Sequence, residues 1–121
     1  WTDARRYCEE RGGYLATITD SGEQTFIENL LAREGNKRFY WLGGYIGSDR
    51  RFQWLTGERF EYTNWMPGEP SGGGEDKLEI LRVAHPLIKD SRLGHWNDAF
   101  NESNKNSDYT SELGIICEFD T

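Results

Sequence analysis

Basic charge is in short supply in this chain of 121 residues: 14 Lys and Arg stand against 21 Asp and Glu, a formal net charge of −7. That balance excludes nucleic acid as a partner, because phosphate backbones demand a basic face, and it argues against docking on anionic lipid. No apolar run approaches the roughly 18 residues of a membrane span, so no membrane insertion is expected. The sequence opens at Trp1 without a basic, apolar leader, so any secretion signal is expected to have been removed or to lie upstream. Proline is scarce (3) while glycine is not (14), which implies many turns, few long helices and a loop-rich α+β chain. The two histidines, His85 and His95, have neither metal-ligand spacing nor a Ser or Cys partner, and they read as structural. Only two cysteines are present, Cys8 and Cys117. Their positions alone leave free core thiols, a disulfide and coincidence all open.

The aromatics compensate for an apolar content of only 36%, with Trp 5, Tyr 6 and Phe 6. Each buried ring removes about 150–250 Å² from water, so a few can replace many aliphatic residues. Trp41, Trp54, Trp65 and Trp96 are therefore expected in the core of a single domain over 1–121.

Along the chain, Thr2 is placed to cap a helix over 3–11 whose buried stripe is Ala4, Tyr7 and Cys8. Gly12-Gly13 ends it, and Tyr14 to Ile18 forms a strand-like link into the core. A second helix is capped by Asp20 or Ser21, where Asp20 with Glu23 or Ser21 with Gln24 has reciprocal spacing. Its apolar face is Phe26, Ile27, Leu30 and Leu31, and Gly35 closes it. Phe39 to Gly43 reads as a buried strand. Arg51–Leu55 and Arg59–Tyr62 read as a hairpin about Thr56-Gly57-Glu58. Lys77 to Val83 alternates, with Leu78, Ile80 and either Val83 or Leu81 inward. His85–Leu93 is a polar insertion, 94–98 a short strand, 101–108 a solvated loop, and 112–119 a closing core strand.

Two stretches carry chemistry. Gly68 to Asp76 supplies the carboxylates Glu69, Glu75 and Asp76 and the Ser71 hydroxyl, on a backbone stiffened by Pro70 and bent by Gly72, Gly73 and Gly74. Trp96-Asn97-Asp98 adds an amide and another carboxylate behind a bulky anchor. All are hard oxygen donors, which suits Ca2+ with its roughly 6–8 oxygen ligands better than zinc or copper. Glu75 and Asp76 on their own also fit a solvated acidic loop; the Trp-Asn-Asp piece is what favours the metal. The glycine run is too short, and lacks the lysine, for a phosphate cradle.

In order, Trp1 to Cys8, Gly12 to Ile18, Ser21 to Phe26, Trp41 to Gly44, Asn64-Trp65, Gly68 to Ser71, Gly74 to Asp76, Trp96 to Asp98 and Cys117-Glu118 resemble the C-type lectin-like domain over essentially the whole chain. The resemblance implies two helices flanking small antiparallel sheets with a long calcium-binding loop, and a disulfide between Cys8 and Cys117. It implies calcium ligands Glu69, Ser71, Glu75, Asn97 and Asp98, with sugar hydroxyls joining the same shell and contacting the same residues. In sugar-binding members the proline of this loop is cis, so Glu69-Pro70 is expected cis, the isomer that only proline adopts cheaply. A second ion on Asp76, Glu75 and a remote Asp49 is the further site considered, although Gly72 stands where another carboxylate is expected.

Glu with Asn in this family goes with mannose-, glucose- or fucose-like hydroxyls, and Gln with Asp goes with galactose. Here Glu69 is followed by Ser71, which fits neither pattern, and no aromatic lies in 71–76 to stack on a galactose face. The expectation is therefore weighted to the mannose/fucose type. A binding module rather than an enzyme is expected, because carboxylates gathered on a metal are held ionised and serve poorly as acid catalysts. The implied partners are extracellular or cell-surface glycans, bound by several copies or within a larger chain, since a shallow site gives few contacts per sugar. The rival expectation is a protein-binding domain of the same fold.

Three departures from the family pattern stand out. Lys77 occupies a position of the usual second, loop-stapling disulfide, and no cysteine follows Asn97-Asp98. The strand that usually precedes the first helix is absent, which implies trimming or an exposed edge on the last strand.

Overall fold

A computed structural model of the chain describes residues 1–101 and 113–120. The solvated loop expected at 101–108 therefore falls outside the described residues from 102 onward, as does Glu112.

Helix α1 spans Thr2–Glu9 and buries Ala4 and Cys8. Thr2 is not its cap, contrary to the sequence reading: Trp1 holds the N-cap position, and its side chain makes no capping hydrogen bond to the helix. Tyr7 is not part of the stripe either. It is 45% exposed, and the Arg11 guanidinium lies 3.5 Å from its ring centroid. The cation thus shields the ring from water in place of core packing. Strand β1 (Tyr14–Leu15) leads into the buried Ala16, Thr17 and Ile18.

Helix α2 (Ser21–Glu34) starts on Asp20, whose side chain accepts from the Glu23 N–H at 2.8 Å. Glu23 answers one residue earlier than a simple box, accepting from the Thr19 N–H at 2.7 Å. Ile27 and Leu31 are buried as expected, but Phe26 is 67% exposed and the buried place falls to Gln24. Gly35 closes the helix in extended rather than left-handed backbone. Glycine is required there by close approach, since a Cβ would lie 2.5 Å from both Arg82 Cδ and the Leu31 carbonyl oxygen.

The main sheet is built on β2 (Phe39–Ile46), which extends beyond the expected strand. One side of β2 pairs antiparallel with β4 (Lys77–Leu81), and β4 pairs with β5 (Trp96–Ala99). Its other neighbours are β3 (Phe52–Trp54), antiparallel, and β6 (Leu113–Ile115), which runs parallel from Phe39↔Leu113. The sheets are thus not purely antiparallel. The closing strand divides at Ile116: β7 (Cys117–Glu118) leaves the main sheet and pairs antiparallel with β1. Cys8 and Cys117 are disulfide-bonded, tying α1 to β7 across a separation of 109 residues.

The hairpin expected about Thr56-Gly57-Glu58 does not form. Residues 59–62 form no strand, and β3 turns back on β2 through residues 47–51. Phe60 and Tyr62 instead give their rings to the core, where Trp54, Phe60, Tyr62 and Trp65 all lie within 6.0 Å of the Trp96 centroid. In β4 the expected alternation fails as well, because Leu78, Glu79, Ile80 and Leu81 are all buried. A strand flanked by neighbours and covered on both faces has no solvent side to mark with polar residues.

Candidate functional site

The two chemistry-bearing stretches meet at the end of β5. Trp96 is fully buried, and its indole N–H donates to Gln24 Oε1 at 2.9 Å. Gln24 in turn donates to the Gly94 carbonyl at 2.8 Å. Residues 64–66 are laced to the same strand: the Trp96 N–H donates to the Asn64 carbonyl and the Met66 N–H to the Trp96 carbonyl, each at 2.8 Å. Trp65 thus packs under the loop as expected, 5.9 Å from Trp96 ring to ring. These contacts fix where Asn97 and Asp98 emerge.

Glu69-Pro70 is cis, as the resemblance implied. Beyond it the backbone turns sharply, with φ of 76° at Gly72 and 68° at Gly73, values that glycine adopts without a Cβ clash. This turn brings Ser71 and Gly72 onto Asp98. The Ser71 N–H donates to Asp98 Oδ1 at 3.1 Å and the Gly72 N–H to Oδ2 at 2.8 Å. The Ser71 hydroxyl has one proton to share between Glu75 Oε1 at 3.0 Å and Asp98 Oδ1 at 3.3 Å. Of the expected ligands, Glu69, Ser71, Glu75 and Asp98 are therefore gathered at one place. Asn97 lies beside them but sends its amide N–H to Glu79 Oε1 at 2.8 Å.

Glu79 is the residue that the sequence reading missed. It is 5% exposed and sits opposite Asn97 in the β4–β5 register. Burial, with the negative Glu75, Asp98 and Glu69 adding to it against the Asn97 hydrogen bond, pushes its carboxyl up to about 8. Glu69 is pushed up to about 7, by burial first and then by the adjoining Asp98 carboxyl and Glu75, with the Ser71 hydroxyl opposing. Glu75 is raised too, chiefly by burial. Four carboxyls in one desolvated region repel one another, and protons or cations must offset that repulsion.

Asp76 and Asp49, considered for a second ion, each have a protein partner. Asp76 Oδ2 lies 3.3 Å from the Lys77 ammonium, and Asp49 accepts from the Arg51 N–H at 3.1 Å to cap its own turn. His85 and His95 serve locally, as expected: His85 Nδ1 accepts from the Leu87 N–H and His95 Nδ1 from the Arg92 N–H. Among the described residues, no three His, Cys, Asp or Glu side chains already adopt a metal-binding arrangement, and no helix is long and apolar enough to cross a membrane.

Residues 1–119 match the family model described as the Lectin C-type domain. The chain belongs to the C-type lectin domain family. Among curated C-type lectin relatives, C-type mannose receptor 2 of Rattus norvegicus is 44% identical over 120 residues, 98% of this chain but 8% of that receptor. Perlucin of Haliotis laevigata is 36% identical over 101 residues, 81% of this chain and 61% of perlucin. The chain therefore spans less than two thirds of each. A solved lectin domain with the same fold is the cow C-type carbohydrate-recognition domain of CD23 in the presence of GlcNAc2Man3 oligosaccharide. It is 34% identical at a TM-score of 0.64, covering 83% of this chain and 69% of that one. The Ca2+-independent C-type lectin SPL-2 from Saxidomus purpuratus is 26% identical at a TM-score of 0.67, covering 81% and 67%. Family and fold are those of the C-type lectin domain.

Proposed function

We propose that residues 1–121 form one carbohydrate-recognition module that binds glycans through a loop-bound Ca2+ held by Glu69, Ser71, Glu75, Asn97 and Asp98. The observation carrying this reading is the crowding of Glu69, Glu75 and Asp98 around Ser71, where burial and the neighbouring Asp98 and Glu75 push the Glu69 carboxyl up to about 7. The donor set fits calcium, being all hard oxygen with more negative charge than one divalent ion requires. A bound calcium ion would supply coordination positions that two neighbouring sugar hydroxyls can enter. The carboxylates of Glu69 and Glu75 accept the protons of those hydroxyls, and the Asn97 amide donates to their lone pairs. Ser71, shorter than asparagine, contributes its hydroxyl less directly.

A mannose- or fucose-type sugar is favoured over galactose, from Glu69 and from the lack of an aromatic in 71–76. The solved relative crystallised with GlcNAc2Man3 supports the same class. The relatives named as receptors support an extracellular or cell-surface setting, with several copies raising avidity.

The second reading is binding without calcium. It draws on the Ca2+-independent SPL-2 and on the backbone N–H groups that already occupy both Asp98 oxygens. In its protein-binding form, it draws on the likeness to the low affinity immunoglobulin epsilon Fc receptor. A glycan array run with calcium and with chelator separates these readings. The proposal expects mannose or fucose binding that chelator abolishes and that Glu69→Ala and Asp98→Ala both lose with the fold retained. Binding that persists in chelator, or no glycan binding at all, rejects it. Ser71→Asn is expected to tighten mannose binding.

A further inference from the structure

Both ends of the site-bearing region rest on the first turn of α1, by contacts that the sugar site does not use. Lys77 begins β4 directly after Asp76, with its side chain 15% exposed. Its ammonium lies 3.3 Å from Asp76 Oδ2, 5.0 Å from the Trp1 ring centroid and 6.0 Å from that of Tyr45. A cation over two ring faces with a carboxylate beside it is held by both attractions at once. At the far end, Asn101 follows β5 and grips Thr2 twice. Its Oδ1 accepts from the Thr2 N–H at 2.8 Å, and its Nδ2 donates to the Thr2 hydroxyl at 2.9 Å.

The Thr2 N–H is one of the donors that a helix start leaves without an intrahelical partner. The Trp1 side chain, at the N-cap, makes no capping bond to the helix, and Asn101 caps α1 from 99 residues away. Trp1 itself is a fixed platform, 5% exposed, with its indole N–H donating to the Leu42 carbonyl at 2.8 Å.

We propose that Lys77 and Asn101 are positioning residues, a two-point clasp through which the first turn of α1 sets the spacing of the Glu69–Asp76 loop from Asn97-Asp98. Asp76 joins this clasp through its ion pair with Lys77. The effect on calcium affinity rests on the calcium reading above; the effect on loop order does not.

The test uses Lys77→Met, which keeps an apolar stem and removes the charge, Lys77→Arg, which restores it, and Asn101→Ala. Amide hydrogen exchange is followed in chelator at Ser71 and Gly72, both of which donate to Asp98, with Leu31 and Gly43 as core controls; calcium affinity is measured separately by calorimetry. Exchange at Ser71 and Gly72 is expected to rise several-fold in Lys77→Met and Asn101→Ala with the core amides unchanged, and to return toward the parent value in Lys77→Arg. Calcium affinity is expected to fall by a similar factor. Unchanged exchange at the two loop amides overturns the clasp, and so does an equal rise at the core amides or tighter calcium binding by Lys77→Met. A parent protein that binds no calcium rejects the calcium reading, and the exchange result then decides the clasp by itself.

Discussion

A carboxyl as enclosed as that of Glu79, facing three other acids, is stable only in the form its surroundings permit. Burial holds it up to about 8, against an ordinary value of 4.5. The folded state thus favours the protonated acid. The stability this contributes is complete below the unfolded value and is lost as pH rises through about 8. Glu79→Gln keeps an acceptor for the Asn97 amide and removes the ionisation. In chelator it is expected to melt at a higher temperature than the parent at pH 8 and to lose that advantage near pH 4.5; a thermal melt at the two pH values checks this. Glu79 was hidden in the sequence because Lys77 to Val83 alternates, and alternation assigns every second residue to water. The neighbouring β2 and β5 cancel that assignment, and strand pairing of this range leaves no local mark. The two oxygen-rich stretches, 68–76 and 96–98, were legible from composition and order, whereas the choice of Glu69, Ser71, Glu75 and Asp98 among their side chains came from the family likeness.

At the level of elements, α2 carries more than its apolar face. Gln24 reads in sequence as a capping partner for Ser21, yet it is 3% exposed and accepts a hydrogen bond from the Trp96 indole N–H. Gln24→Ala leaves that proton unpaired in the core, a cost of about 1–3 kcal/mol. Denaturant unfolding is expected to show the loss, and calcium affinity should fall with it because Asn97 follows Trp96. The start of α2 could be read from Asp20 and Glu23, since capping is local chemistry. By contrast, Thr56-Gly57-Glu58 has the composition of a hairpin turn but does not form one. Phe60 and Tyr62 gain more by packing on Trp54 and Trp96 than a ladder of exposed hydrogen bonds would return. Turn propensity proposes a partner for β3, and aromatic burial chooses a different one.

For the molecule as a whole, two linkages are expected. Glu69, raised to about 7, must lose its proton to serve as a ligand. The thermal stabilisation produced by millimolar calcium is therefore expected to grow as pH rises from 6 to 8, while the chelated domain grows less stable over the same range. A calcium increment that stayed flat across that range would show that Glu69 lies outside the shell. The Cys8–Cys117 bond closes a loop with a separation of 109 residues. Paired Cys8→Ser and Cys117→Ser changes are expected to cost at most about 4–5 kcal/mol by chain entropy, read from chemical denaturation. The bond was legible only by family likeness, since two cysteines near opposite ends of a sequence carry no pairing information of their own.

The Trp96 indole meets the indoles of Trp54 and Trp65 nearly edge-on, at 80° and 77°, one residue before the Asn97-Asp98 pair. Chromophores this close couple their electronic transitions, and the coupling changes sharply with small rotations. The domain thus carries its own optical gauge: filling the acidic site should alter near-ultraviolet dichroism and emission with no dye attached, and occupancy could be followed by light alone.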